Sequence, residues 1–106
     1  MPNSETPLHG AYKTPGGKLV AVDFDVDGGR LNHVVLHGDF FLYPEDAIFP
    51  ITEALEGMPA DLIESEIAAR VRAAIPPGTE MLGFSPEAIG IAVQRALVQE
   101  TESTNG

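Results

Sequence analysis

The chain changes its hydrophobic rhythm about forty residues in. From Lys18 to Val26, the apolar residues Val20, Val22, Phe24 and Val26 alternate with Ala21, Asp23 and Asp25. Period two with β-branched residues predicts a strand buried on one face only. A shorter extended stretch, His9 to Thr14, precedes it. Leu31 to Leu36 follows as a return strand, and Gly38 breaks its pattern. Pro15-Gly16-Gly17 joins the first pair, because Pro presets φ and Gly accepts positive φ. Asp27-Gly28-Gly29 joins the second pair as a tight hairpin turn.

After Tyr43 the period becomes helical. Pro44-Glu45-Asp46 predicts a helix start, since Pro is tolerated in a first turn. Pro50 then falls where that helix would have its interior. It should split or kink the segment, restarting a turn from Pro50 to Glu56 before Gly57. Asp61 to Ile75 is the clearest helix, with Ile63, Ile67, Val71 and Ile75 repeating every four residues. Pro76-Pro77-Gly78 stops it, and Met81 to Phe84 follows as an apolar connector. Ser85-Pro86-Glu87 then offers a hydroxyl to free amides, a Pro in the first turn and an acid at the positive helix end. The last helix runs to about Val98, burying Ile89, Ala92, Val93, Ala96 and Leu97.

Strands followed by helices predict an α+β fold. The expected form is a small three-stranded antiparallel meander with two to three helices packed on one face. Residues 1–8 read as a flexible N-terminal lead-in, 9–98 as the folded domain and 99–106 as a disordered polar tail. One domain of 106 residues has a thin stability margin.

Composition narrows the chemistry. There are no cysteines, which removes disulfides, thiol catalysis and cysteine-held zinc or iron–sulfur centres. With the polar N-terminus this fits a cytoplasmic protein. Sixteen acidic residues against six basic ones disfavour nucleic acid and anionic membranes as partners. The only two lysines, Lys13 and Lys18, flank the Pro15-Gly16-Gly17 turn.

Asp23-x-Asp25-x-Asp27-Gly28 copies the opening of a calcium loop. Its twelfth position is Val34 rather than a bidentate Glu, and its flanks are strands. His33 and His37 would lie about 13 Å apart on an extended strand, too far to share an ion. No metal site and no catalytic constellation is therefore expected. Lys13-Thr14-Pro15-Gly16-Gly17-Lys18 is not a phosphate-binding P-loop, because the spacing is wrong and no helix follows. It still sets two cations beside open backbone amides. It is a candidate for contact with a nucleotide or other anion through Lys13, Gly16, Gly17 and Lys18, or else a plain hairpin with solubilising lysines. In Gly38-Asp39-Phe40-Phe41 the adjacent aromatics must point to opposite faces. Asp39, Phe40 and Phe41 are candidates for a partner interface, or for the capped end of a core strand.

Taken in order, Tyr12-Lys13-Thr14-Pro15-Gly16-Gly17-Lys18-Leu19-Val20, the hairpin, Gly38-Asp39-Phe40-Phe41 and Pro44-Glu45 resemble the C-terminal accessory domain of lipoate–protein ligases. Leu55-Glu56-Gly57 and Gly83-Phe84-Ser85 fit the same pattern, and the resemblance runs from His9 to Leu97. Pro50 departs from it. The resemblance implies a stand-alone small subunit with no catalytic residues of its own. Its expected partner is a separate catalytic subunit and, indirectly, lipoyl-acceptor proteins. ATP, Mg and lipoate would belong to the assembled complex rather than to this chain alone. In that setting the Lys13–Lys18 turn would close over the partner's nucleotide pocket. A second reading is a non-catalytic module for a small ligand or a protein, unrelated to lipoylation. Iron–sulfur scaffold and sulfur-acceptor domains are similar in fold but need cysteine.

Overall fold

The structure is a computed structural model that describes residues 8–16 and 18–105, with side chains described as far as residue 98. Three strands form the expected meander: β1 (Leu8–Lys13), β2 (Leu19–Asp27) and β3 (Arg30–Gly38), in that spatial order and antiparallel throughout. Gly28 and Gly29 form the two-residue hairpin turn between Asp27 and Arg30, both at positive φ (62° and 77°). This is the backbone shape whose twist matches that of the flanking strands.

Alternation along β2 works as the sequence implies. Val20, Val22 and Phe24 are fully buried, while Asp23 and Asp25 lie on the opposite face. Burying a side chain such as Phe24 contributes about 1.5–3 kcal/mol. Strand β3 does not alternate simply. Asp23 pairs with Val35 and Asp25 with Asn32, so β3 carries one extra residue. The bulge centres on His33, which sits at φ 58°. It allows Leu31, Val34 and Leu36 all to face the core, although Leu31 and Val34 are three residues apart.

After a short strand, β4 (Phe41–Tyr43), comes a 3₁₀ turn at Glu45–Ala47, entered through a cis Tyr43–Pro44 peptide. Helix α1 (Ile48–Leu55) continues from it. The expected split occurs two residues earlier than the sequence implies. Pro50 therefore falls in the first turn of α1, where its missing N–H is not needed. Helix α2 spans Glu64–Ala74, starting three residues later than expected from Asp61. Ile63 is its N-cap and is exposed, so only Ile67 and Val71 of the fourfold repeat are buried on this helix.

Two corrections concern the C-terminal third. The first half of the Met81–Phe84 connector is a strand: β5 (Glu80–Leu82) pairs antiparallel with β4 (Phe41–Tyr43) as a separate two-stranded ribbon. Helix α3 spans Pro86–Asn105 and does not end near Val98. Residues 99–105, expected as a disordered tail, contain no Gly or Pro to stop a helix. At the other end of α3 the predicted cap is present. Ser85 Oγ accepts the Ala88 amide at 3.1 Å. Strand β1 begins at Leu8, one residue inside the expected lead-in.

Helix α3 lies across β1 and β2, α2 packs on α3, and α1 joins α2 to β3. The close approach of α3 to the sheet is set by Gly10. A Cβ there would fall 2.0 Å from the Ala92 carbonyl oxygen. All helices thus cover one face of the meander, and the other face carries His9, Asp23 and His37.

Candidate functional site

The two motifs singled out in the sequence meet at one end of the molecule. Thr14 starts the lysine turn and fixes it. Its backbone N–H donates to the Lys18 carbonyl at 2.7 Å, and its hydroxyl lies 3.1 Å from both the Lys18 and Gly83 carbonyls. Gly83 follows β5. A Cβ on it would meet Lys18 Cγ at 2.6 Å, so the aliphatic stem of Lys18 rests directly on this glycine. On the other side, the Asp39 amide donates to the Leu19 carbonyl at 2.9 Å. The turn, the Gly38–Phe41 corner and the end of β5 form one structural unit.

Lys13 and Lys18 are both exposed, and neither makes an ion pair among the described residues. Gly16 stands in open space at φ 100°. Gly17 lies outside the described residues. Asp39 is exposed. The two phenylalanines divide as strand geometry requires. Phe40 turns inward and stacks on Phe84, with ring centroids 4.0 Å apart. Phe41 turns outward. Phe40 is thus part of the packing that holds the corner, and Phe41 is left exposed.

The sequence did not reveal how far that apolar surface extends. Phe41 pairs across the ribbon with Leu82. Phe41, Leu82 and Tyr43 are 66%, 58% and 70% exposed, and Phe49 in the first turn of α1 is 62% exposed. Exposed apolar side chains of this size, beyond scattered single residues, are candidates for an interaction surface. The missing signal was the pairing of β4 with β5, which joins residues forty positions apart.

The histidines lie on the sheet face turned away from the helices. His33 and His37 do not converge. His33 Nδ1 lies 3.3 Å from Asp25, while His37 Nε2 lies 2.7 Å from Asp23 Oδ2. The other oxygen of Asp23 lies 2.6 Å from His9 Nδ1. Burial works against the charged Asp23 carboxylate. The hydrogen bonds and electrostatic attraction of His9 and His37 together outweigh it and hold the carboxyl below its ordinary value. Glu87 is held low as well, first by its hydrogen bond from Arg72 and then by the backbone at the start of α3.

At the far end of β2, a shallow cleft is lined by Gly28, Gly29, Arg30, Pro59, Ala60 and Asp61. Arg30 there bonds the Gly57 carbonyl at 2.8 Å, so the charge is already engaged in holding the hairpin to the chain after α1. No helix among the described residues is long and apolar enough to cross a membrane.

No protein-family model matches the chain. It is similar to lipoate-protein ligase A subunit 2 of Thermoplasma acidophilum: 35% identical over 67 residues, covering 62% of this chain and 71% of the relative. It is also similar to a chain solved in the structural analysis of an archaeal lipoylation system from the same organism, a bi-partite lipoate protein ligase and its E2 lipoyl domain. That match has a TM-score of 0.62 at 28% identity and covers 82% of this chain and 91% of the other. Sequence identity over most of the relative's length, together with the same α+β architecture, leads to one conclusion: the chain belongs to the lipoate–protein ligase A subunit 2 family.

Proposed function

We propose that this chain is the accessory subunit of a bipartite lipoate–protein ligase, acting with a separate catalytic subunit in ATP-dependent formation of lipoyl-adenylate for protein lipoylation. The relative is named as a second subunit, and the solved neighbour comes from work on a bi-partite ligase with its lipoyl domain. The observation that carries the reading is the junction at Gly83. It sets the stem of Lys18, which makes no ion pair among the described residues, beside an exposed apolar ribbon, the combination a subunit needs to dock and to act at its partner's site.

Lipoate and ATP are substrates held by the catalytic subunit. Adenylation develops negative charge on phosphate oxygens, and a cation already in place stabilises that charge without reorganising. Lys13 and Lys18 fit this role, since both are exposed and neither has a carboxylate partner among the described residues. The ribbon of Phe41, Tyr43 and Leu82, with Phe49, supplies the apolar contact. Such a subunit would work in the cytoplasm and meet lipoyl-acceptor proteins only through the assembled ligase.

The test is reconstitution. The catalytic subunit is assayed for lipoyl-adenylate formation alone and after mixing with this chain. Formation that depends on the mixture supports the reading. A catalytic subunit that is fully active alone, or one that does not associate with this chain, would overturn it.

A further inference from the structure

The face of the meander turned away from α3 holds a second cluster of functional groups, separate from the lysine turn. His9 on β1, Asp23 on β2 and His37 on β3 converge there from three different strands. His9 stands directly opposite Asp23 in the β1–β2 register. His37 stands opposite Ala21, one step along the same face. The two imidazole rings lie 6.1 Å apart, and the nearest ligand atoms of all three residues fall within 4.8 Å of one another.

We propose that His9 Nδ1, His37 Nε2 and an Asp23 carboxylate oxygen form a binding site for a divalent transition-metal ion of the zinc type. Two imidazoles and one carboxylate select such an ion over magnesium or calcium, which take oxygen ligands. Three protein ligands leave at least one position open to water. The reading is independent of lipoylation, since the residues are on the opposite side of the sheet from the helices and outside the Gly83 junction.

The geometry is nearly assembled. Each histidine now faces one oxygen of Asp23, at 2.6 and 2.7 Å. A tetrahedral ion with ordinary bond lengths needs its ligand atoms about 3.3 Å apart, between the 2.6 and 2.7 Å of these hydrogen bonds and the 4.8 Å that bounds all three ligand atoms, so only small shifts are required. His9 and His37 are about half exposed, at 54% and 49%, which leaves room for that movement and a path for the ion. In the metal-free state the hydrogen bonds keep Asp23 satisfied. When the ion enters, each ring presents a lone pair from the nitrogen that faced Asp23, and its other nitrogen carries the N–H. The strand backbones hold the three Cα positions in register throughout. The formal net charge of −10 favours a cation.

His33 and Asp25 are a control supplied by the same face. Their contact is longer and involves one histidine, so they do not make a three-ligand site.

The experiment is a titration of the untagged full-length chain at neutral pH with Zn²⁺ by calorimetry, and with Co²⁺ by visible absorption. The expected result is one equivalent bound, with a cobalt spectrum of low coordination number. His9→Ala, His37→Ala and Asp23→Asn should each weaken binding by more than the ~10–100-fold typical of losing an outer-shell partner. His9→Gln, which can still donate to Asp23 but supplies no imidazole, should lose binding equally while keeping the wild-type circular dichroism. His33→Ala should leave the affinity within about threefold, as expected of a group outside the coordination shell. Absence of stoichiometric binding overturns the site. So does binding that survives His9→Gln and His37→Ala, or that falls as far in His33→Ala.

Discussion

The Glu56 carboxylate, beyond the C-terminus of α1, accepts the backbone N–H of Val34 in β3 at 2.7 Å. Its second oxygen takes the His33 N–H at 3.1 Å. These amides belong to the bulge, where the strand ladder cannot serve them, so one side chain from a distant loop completes the sheet. Glu56→Ala leaves a part-buried amide unpaired and should cost about 1–3 kcal/mol. Glu56→Gln keeps one acceptor oxygen and should fall between wild type and alanine. Urea unfolding checks this: the midpoint should drop with the slope unchanged.

That bulge marks the limit of what was legible in the sequence. The meander, the Gly28-Gly29 turn, the Ser85 cap and the buried face of α3 all rest on local signals: period two, a tight-turn pair, a hydroxyl before Pro and a helical stripe. Each acts within a few residues, and each could be read directly. The bulge at His33 depends on Glu56, the ribbon depends on Phe41 meeting Leu82, and the Asp23 cluster depends on His9 meeting His37 across β2. Those are long-range pairings that no window of the sequence contains. Lys13, Lys18, Asp39 and Phe41 could be singled out in advance, but Tyr43, Phe49 and Leu82 gain their meaning only from the fold.

The lysine turn should matter to chemistry and not to folding. The double variant Lys13→Met/Lys18→Met keeps both aliphatic stems, including the contact of Lys18 with Gly83, and removes both charges. Lipoyl-adenylate formation by the reconstituted pair should fall by about tenfold or more, as expected when a group stabilising transition-state charge is lost. The melting temperature of the isolated chain should hardly change. Normal adenylation by this variant would remove the lysines from the mechanism.

The ribbon should matter to assembly. Phe41→Ser and Leu82→Ser alter exposed side chains, so each should change stability by less than about 0.5 kcal/mol. If both are central to the docked surface, each should weaken association with the catalytic subunit by about 30-fold, equivalent to roughly 2 kcal/mol. Phe40→Ser should behave differently, destabilising the chain itself through loss of the stack on Phe84. Affinity from calorimetry, set beside thermal unfolding of the free chain, separates the two effects.

Asp23 predicts a direction for acid sensitivity. Its carboxyl is held below the ordinary aspartate value of 3.8 in the folded chain, so its contribution is fully present above that value. The contribution disappears as pH falls through the lower folded-state value, because the folded form then gains the proton last. Asp23→Asn should therefore be less stable than wild type at neutral pH, with the gap closing as the pH drops below 3.8. Unfolding midpoints of the two proteins across an acid series would show this. A gap that widened in acid would mean that the His9 and His37 hydrogen bonds do not favour the charged carboxylate.

Gly83 is where docking and chemistry would be coupled, and a single methyl group can separate them. It sits at φ 91°, a conformation that costs any other residue about 1–2 kcal/mol, and a Cβ there would push against the stem of Lys18. The obstacle is a flexible side chain and not backbone, so Gly83→Ala should fold. The Lys18 ammonium must then leave its present path, while Phe41 and Leu82 keep their exposed faces. Binding to the catalytic subunit should stay near wild type, and adenylation should fall toward the level of the lysine double variant. Adding Gly83→Ala to that double variant should then cost no further activity. Equal loss of binding and activity in the single variant would show instead that Gly83 serves the ribbon alone.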